Sequence, residues 1–160
     1  MYSVAGILDH RRGGPPQNDF DSRRRTLYLL VDRHDLPGVF ATFDFPSPDI
    51  SNSKRPETTI PQQALFLMNN EFVDRISAKL VARLLADASV RDESAERIDW
   101  LYRRILSRSA TARELTLCSE FLRTPERRSK SNSSPVKIET SKWRDLVHTL
   151  LMSNEFLFVD

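Results

Sequence analysis

Four prolines, Pro46, Pro48, Pro56 and Pro61, stand in one short stretch, FDFPSPDISNSKRPETTIPQQALFLMNNEFV, and constrain this chain more than any other feature. Each fixes its own φ and biases the residue before it toward extended backbone. Thr42 to Ile60 is therefore predicted to be irregular chain or short strand, not helix. Pro61 differs, because a proline suits the first position of a helix, where its missing N–H costs nothing; Thr59 or Ile60 then falls in the cap region. Ala64, Leu65, Leu67 and Met68 follow with an apolar face. Asn69 and Asn70 interrupt, and Asn70, Glu71 and Asp74 predict a fresh helix start running to about Ala86. Phe72, Val73, Ile76, Leu80, Val81 and Leu84 recur there at helical spacing, so one face should be buried.

The second half carries three more helical patterns. Ser94 to Ser107 places Ile98, Leu101 and Ile105 on one face, widened by Tyr102 and Leu106. Thr111-Ala112-Arg113-Glu114 has the Thr-x-x-Glu form of a capping box, predicting a helix from Ala112 to about Arg123. Thr124 to Thr140 has prolines, serines and basic residues without periodicity and reads as a flexible loop or linker. Lys142 to Met152 then sets Trp143, Leu146, Val147, Leu150 and Leu151 on an apolar face, with Ser141 as its cap. The ending Met152-Ser153-Asn154-Glu155-Phe156 echoes Met68-Asn69-Asn70-Glu71-Phe72. Asn tolerates a left-handed helix end and Phe can pack back, so a shared local cap is the simpler reading, with duplication the alternative.

Composition bounds the function classes. A chain of 160 residues with 39% hydrophobic and 29% charged residues suits one globular domain. The 24 basic and 22 acidic residues nearly cancel to +2, a balance that argues against nucleic-acid binding by charge alone. A single cysteine, Cys118, excludes an internal disulfide framework. The opening MYSVAGILDHRR lacks the basic start and apolar length of a signal peptide, so the chain as written is expected in the cytoplasm. No apolar run approaches the roughly 20 residues of a membrane helix.

Candidate chemistry is sparse, and each item has a structural reading beside it. Asp32-Arg33-His34-Asp35 groups two carboxylates and an imidazole, a metal or acid-base candidate, yet it precedes Leu36-Pro37-Gly38 and also reads as a solvated turn. His148 falls within a helix pattern and reads as structural. Cys118, among Leu115, Leu117, Phe121 and Leu122, reads as buried and not nucleophilic. No Cys-x-x-Cys-His occurs, so no haem attaches here in the usual c-type way, and no cofactor is expected in this chain. Arg24, Arg25 and Arg55 are anion-binding candidates, with Arg23 and Tyr28 nearby; the competing reading has such arginines ordering loop carbonyls or pairing with Asp44 or Asp49. Thr58, Thr59, Gln62, Gln63 and Asn69 form the densest polar set at a helix start, fit for a ligand on exposed N–H groups or for capping and loop tethering.

The motifs RRRTLYLLVDRHDLPGVFATFDFPSPD, RPETTIPQQALFLMNNEFV, LYRRILSRSATARELTLCSEFL and LLMSNEFLFVD, in this order, resemble the C-terminal part of the planctomycete-specific domain of unknown function 1553, over roughly Gly13 to Asp160. That domain accompanies planctomycete-type cytochrome c domains. The resemblance implies a C-terminal structural or binding module of a larger exported multidomain protein, extracytoplasmic in full-length relatives, with haem in upstream domains. The resembling domain has further helical sequence upstream, which implies that this chain is an incomplete domain. LYRRILSRSATARE also resembles a helix-turn-helix unit of several exported bacterial families, which gives Arg108 the role of holding carbonyls at the turn. Asp44, Thr58, Thr59, Gln62, Gln63, Asn69, Arg108 and Asn154 are then motif residues of structural character.

The resulting expectation is a mostly α fold with four to five helices and a proline-rich, irregular N-terminal third. Residues 1–22 form a flexible lead, 23–126 a helical core, 127–140 a linker or loop, and 141–160 the last helix and tail. The function is that of a module without catalysis of its own. One alternative is part of a polysaccharide-acting hydrolase or lyase whose catalytic groups lie partly upstream, which needs Asp44, Asp32, His34 and Arg24 in one pocket. Another is nucleic-acid binding through the Arg clusters. Upstream domains of a parent, a second copy of the chain, or a polyanionic or polysaccharide ligand are the partners in view.

Overall fold

The computed structural model describes residues 1–19, 22–32, 34–36, 38–43, 45–46, 51, 61–90, 93–124 and 135–158. The fold is mostly α. In chain order the helices are α1 (Tyr2–Ala5), α2 (Gly38–Thr42), α3 (Pro61–Asn69), α4 (Glu71–Ala86), α5 (Ser94–Leu106), α6 (Ala112–Arg123), α7 (Pro135–Leu151) and α8 (Asn154–Leu157). The five long ones, α3 to α7, are those the periodicity predicts, and among the described residues there is no strand.

The chain divides into two compact units, Met1–Gly6 with Glu71–Asp160, and Ile7–Asn70. In the first, α4 and α7 form the principal helix pair, α5 packs on both, and α6 lies against α5 and α7. The core is the apolar stripe of each helix: Val73, Ile76, Leu80, Val81 and Leu84 from α4, Ile98, Leu101 and Ile105 from α5, and Trp143, Val147 and Leu151 from α7. Ser77 is fully buried among them. Its hydroxyl donates to the carbonyl of Val73 at 2.9 Å, so this buried polar group is met within its own helix.

Short segments complete this unit. Helix α1 packs on α4, with Ala5 buried and Tyr2 edge-on to Phe72 at 5.1 Å between centroids. Gly6 closes α1 in the left-handed region at φ 68°, where glycine alone avoids a steric penalty. Arg104 Nε donates to the carbonyl of Val4 at 2.7 Å. Residues 1–22 thus begin with a packed helix where the sequence led to expect a lead segment.

The second unit is less regular. Isolated parallel bridges join Asp9 to Arg24 and Gln17 to Leu29, around a short 3-10 turn at Thr26–Tyr28. Phe43 meets Phe66 of α3 edge-on at 5.5 Å, and Phe40 lies 4.9 Å from Phe45.

Three local expectations are corrected. Helix α2 occupies Gly38–Thr42, within the N-terminal third expected to be irregular; the Phe43 N–H closes it on the Val39 carbonyl at 3.2 Å, and Thr42 Oγ1 donates back to the Gly38 carbonyl at 2.9 Å. Helix α7 begins at Pro135, not near Lys142, which puts Ser141 inside the helix. Proline at the first helical position is pre-organised for a start, so Pro135 ends the serine-rich run as Pro61 ends the earlier one. Finally, neither Asn70 nor Asn154 is left-handed; Ser107 is the only described non-glycine residue with positive φ. The repeated Asn-Glu-Phe opens helices, since Glu71 starts α4 and Asn154 starts α8.

Candidate functional site

Two arginines organise the polar chemistry of the described residues. Arg24, in the Ile7–Asn70 unit, is only 9% exposed. Its terminal nitrogens donate to the carbonyls of Gly13 and, at 3.4 Å, Pro15, and its guanidinium lies 4.0 Å over the Tyr28 ring. The Tyr28 hydroxyl in turn accepts from the Gly13 N–H at 3.2 Å. Gly13 bends here at φ 72°, which glycine adopts freely. The Gly-Gly-Pro-Pro segment is thereby clamped onto the Arg24–Tyr28 pair, as the carbonyl-ordering reading anticipates. Neighbouring Asp9 is held at about 2 by its hydrogen bonds from Arg11.

Arg108 is the second centre, in the turn after α5. The left-handed Ser107, at φ 58°, ends α5 and releases the chain toward the capping box. Thr111 accepts the Glu114 N–H at 3.3 Å, while Glu114 Oε2 accepts the Thr111 N–H at 2.7 Å. Both carboxylate oxygens of Glu114 then take Arg108 nitrogens, at 2.9 and 2.7 Å. On its other side the same guanidinium donates to Glu155 of α8, at 2.5 and 2.8 Å. Arg108 also reaches the Ser109 carbonyl at 3.2 Å. Its expected carbonyl role is therefore real but secondary to two carboxylates, because planar forked donors match carboxylate geometry.

The electrostatics follow from this geometry. The Arg108 hydrogen bonds hold the Glu114 carboxyl at about 2, with the Thr111 bonds adding to the effect. Glu155 is lowered by the same guanidinium, and Arg108 is raised by its bonds to Glu114 and then Glu155. Behind them Tyr102 and Cys118 are buried, with the hydroxyl 3.8 Å from Sγ. Burial pushes both groups up, which disfavours a thiolate nucleophile at Cys118. Beside this centre a cleft of about 870 Å³ is lined by Ile105, Leu106, Ser107, Asn154, Glu155, Phe156 and Phe158.

The remaining predicted residues take local roles where they are described. Arg25 is exposed, as is Gln62; Gln63 is half-buried. Asn69 Nδ2 donates to the Leu65 carbonyl at 3.0 Å and so closes the end of α3. Asn154 accepts the Phe158 N–H on its carbonyl at 2.9 Å in α8. Asp44, Arg55, Thr58 and Thr59 lie outside the described residues, as does Asp49. Asp32 Oδ1 accepts the His34 N–H at 2.9 Å in an exposed turn, consistent with the solvated-turn reading. Among the described residues no three His, Cys, Asp or Glu side chains are grouped to hold a metal ion, and no helix is long and apolar enough to cross a membrane.

Sequence reasoning missed Glu155 as the partner of Arg108, since 47 residues separate them and no local pattern joins them. It also missed Lys142, whose Nζ caps the end of α6 by donating to the carbonyls of Leu122, at 2.7 Å, and Thr124. Trp100 was missed too. Its signal is a tryptophan set off the Ile98–Leu101–Ile105 face of α5.

Neither the curated proteins nor the solved structures contain a match to this chain. Residues 1–122, from the first helix through most of α6 and including the Arg24 clamp and the Arg108 capping box, match the model of one protein family. The chain belongs to the family described as PSD1, protein of unknown function (DUF1553).

Proposed function

We propose that this chain is a structural or binding module, without catalysis of its own, in a larger exported multidomain protein of planctomycete type that carries haem in other segments. The observation that supports this most is the use made of Arg108. Its guanidinium is taken up by Glu114, Glu155 and a backbone carbonyl, and the result is a joint between the start of α6 and the short α8. Arg24 is similarly engaged with carbonyls and Tyr28. The most conspicuous cations thus order the fold, whereas an active site would present them to a substrate.

The hydrolase or lyase reading draws no comparable support. It requires Asp44, Asp32, His34 and Arg24 in one pocket; Asp44 lies outside the described residues, and Arg24 is buried under its own loop while Asp32 and His34 form an exposed turn. Binding of nucleic acid would need the Arg clusters to present uncompensated charge; Arg104 holds the Val4 carbonyl and the charge of Arg103 is offset by Asp99 at 2.7 Å.

Fractionation of the source cells, followed by mass spectrometry of peptides from this chain and from sequence continuous with it, tests the proposal. Peptides in the exported fraction, on a polypeptide that also bears a Cys-x-x-Cys-His segment, are expected. A stable cytosolic product lacking any such segment would overturn the exported, haem-associated reading.

A further inference from the structure

The Met1–Gly6 and Glu71–Asp160 unit carries a second cleft, of about 480 Å³, lined by Ser89, Val90, Ala95, Glu96, Asp99, Trp100 and Arg103. This volume falls in the about 300–1,000 Å³ range of small-ligand pockets. Its construction is unlike that of the Arg108 centre. Trp100 is only half-buried, and its Nε1–H is already donated to Asp87 Oδ2 at 3.1 Å. Asp87 is itself fixed by the Ser89 N–H at 3.0 Å and hydroxyl at 2.6 Å, and these bonds lower its carboxyl. The indole is therefore held in one orientation with its polar atom occupied, so that it offers the cleft an apolar ring.

The polar rim is also pre-arranged. Asp99 accepts the Ala110 N–H on Oδ1 at 3.0 Å, and its Oδ2 forms an ion pair with Arg103 Nε at 2.7 Å. Both of its oxygens are engaged, so its role is to hold Arg103. The Arg103 side chain is 68% exposed, and its terminal nitrogens are the donors left to the cleft among the described residues. Asp99 offsets the charge of Arg103, which disfavours an anion.

We infer that this cleft binds a neutral saccharide, one pyranose ring stacking on Trp100 while Arg103 donates to its hydroxyls. A sugar ring has an apolar C–H face and a rim of hydroxyl acceptors, the combination that a fixed indole beside a forked donor recognises. An apolar ligand would leave the Arg103 donors unmet, and an anionic one would meet an arginine whose charge Asp99 already offsets. The inference gives the binding arm of the proposed module a site, and it rests on that reading only there.

The chain contains two tryptophans, and Trp143 is buried at 3% exposure, so it serves as an internal control. The test is titration of the full ¹⁵N-labelled chain with cellohexaose, xylohexaose and mannohexaose, read at the two indole N–H signals, with W100F used to assign them. At least one of the three sugars should give a saturating shift of the Trp100 signal while the Trp143 signal stays in place. Binding should be lost in W100A and weakened fivefold or more in R103E, a variant at an exposed side chain that leaves the core untouched. No shift at millimolar concentrations of all three sugars would overturn the site, as would a shift produced by a proline-rich peptide instead. Such a failure would leave the cell-fractionation result unaffected, so the two readings fail separately.

Discussion

At the residue scale, Ser107 and Arg108 show how neighbouring side chains serve one turn by different physics. Ser107 sits left-handed at φ 58°, a conformation that costs a non-glycine residue roughly 1–2 kcal/mol. Ser107→Gly should therefore stabilise the protein by roughly 0.5–1 kcal/mol in denaturant unfolding, the gain being trimmed by the greater freedom of glycine in the unfolded chain. Thr111→Ala should cost about 1 kcal/mol in the same measurement, because it removes the hydroxyl that caps α6. Glu114 and Glu155 make the turn sensitive to acid. Their folded-state values are depressed, Glu114 to about 2, so they stabilise the fold fully only above the ordinary carboxylate value of 4.5. That contribution is lost as pH falls from 4.5 toward 2. The melting temperature of the wild type should thus fall over this window more than that of Arg108→Met, in which the two carboxylates have no guanidinium to lose.

The helices show which signals are local enough to be read from a sequence. The starts of α3 and α4 and the capping box of α6 were all legible, because a proline, an acidic first turn or a Thr-x-x-Glu pattern acts within a few residues. The apolar stripes of α4, α5 and α7 were legible for the same reason. Helix α2 was not, since Pro37-Gly38 is turn punctuation and the helix is held by bonds that form only once it has closed. The early start of α7 was hidden by the serine-rich run before Pro135. Packing also decides energetic weight: Leu80 is fully buried on α4, whereas Leu85 on the same helix is 46% exposed. Leu80→Ala should cost about 2–5 kcal/mol in chemical denaturation, and Leu85→Ala less than about 0.5 kcal/mol. Equal effects would contradict the assignment of the core face.

At the scale of the whole molecule, contacts between residues far apart in sequence were the illegible part of the candidate site. The Arg108–Glu155 bond, the Arg104–Val4 bond and the Lys142 cap each join distant segments, and no spacing rule announces them. Exposed apolar pairs share one face on α3, Leu65 with Met68, and on α6, Leu117 with Phe121. These pairs fit a module that adjoins other protein, and the purified chain should show concentration-dependent sedimentation, reduced in L117S/F121S. A monomer at every concentration would contradict that expectation. The central claim remains that the conspicuous charged residues hold the fold together. Its most direct test is a double-mutant cycle of Arg108→Met and Glu155→Gln, followed by thermal unfolding at neutral pH. Each single variant should melt lower than the wild type, and the double variant should melt no lower than Arg108→Met alone. Wild-type melting temperatures in both single variants would contradict the account, because Arg108 would then be free of any structural duty and available for a ligand.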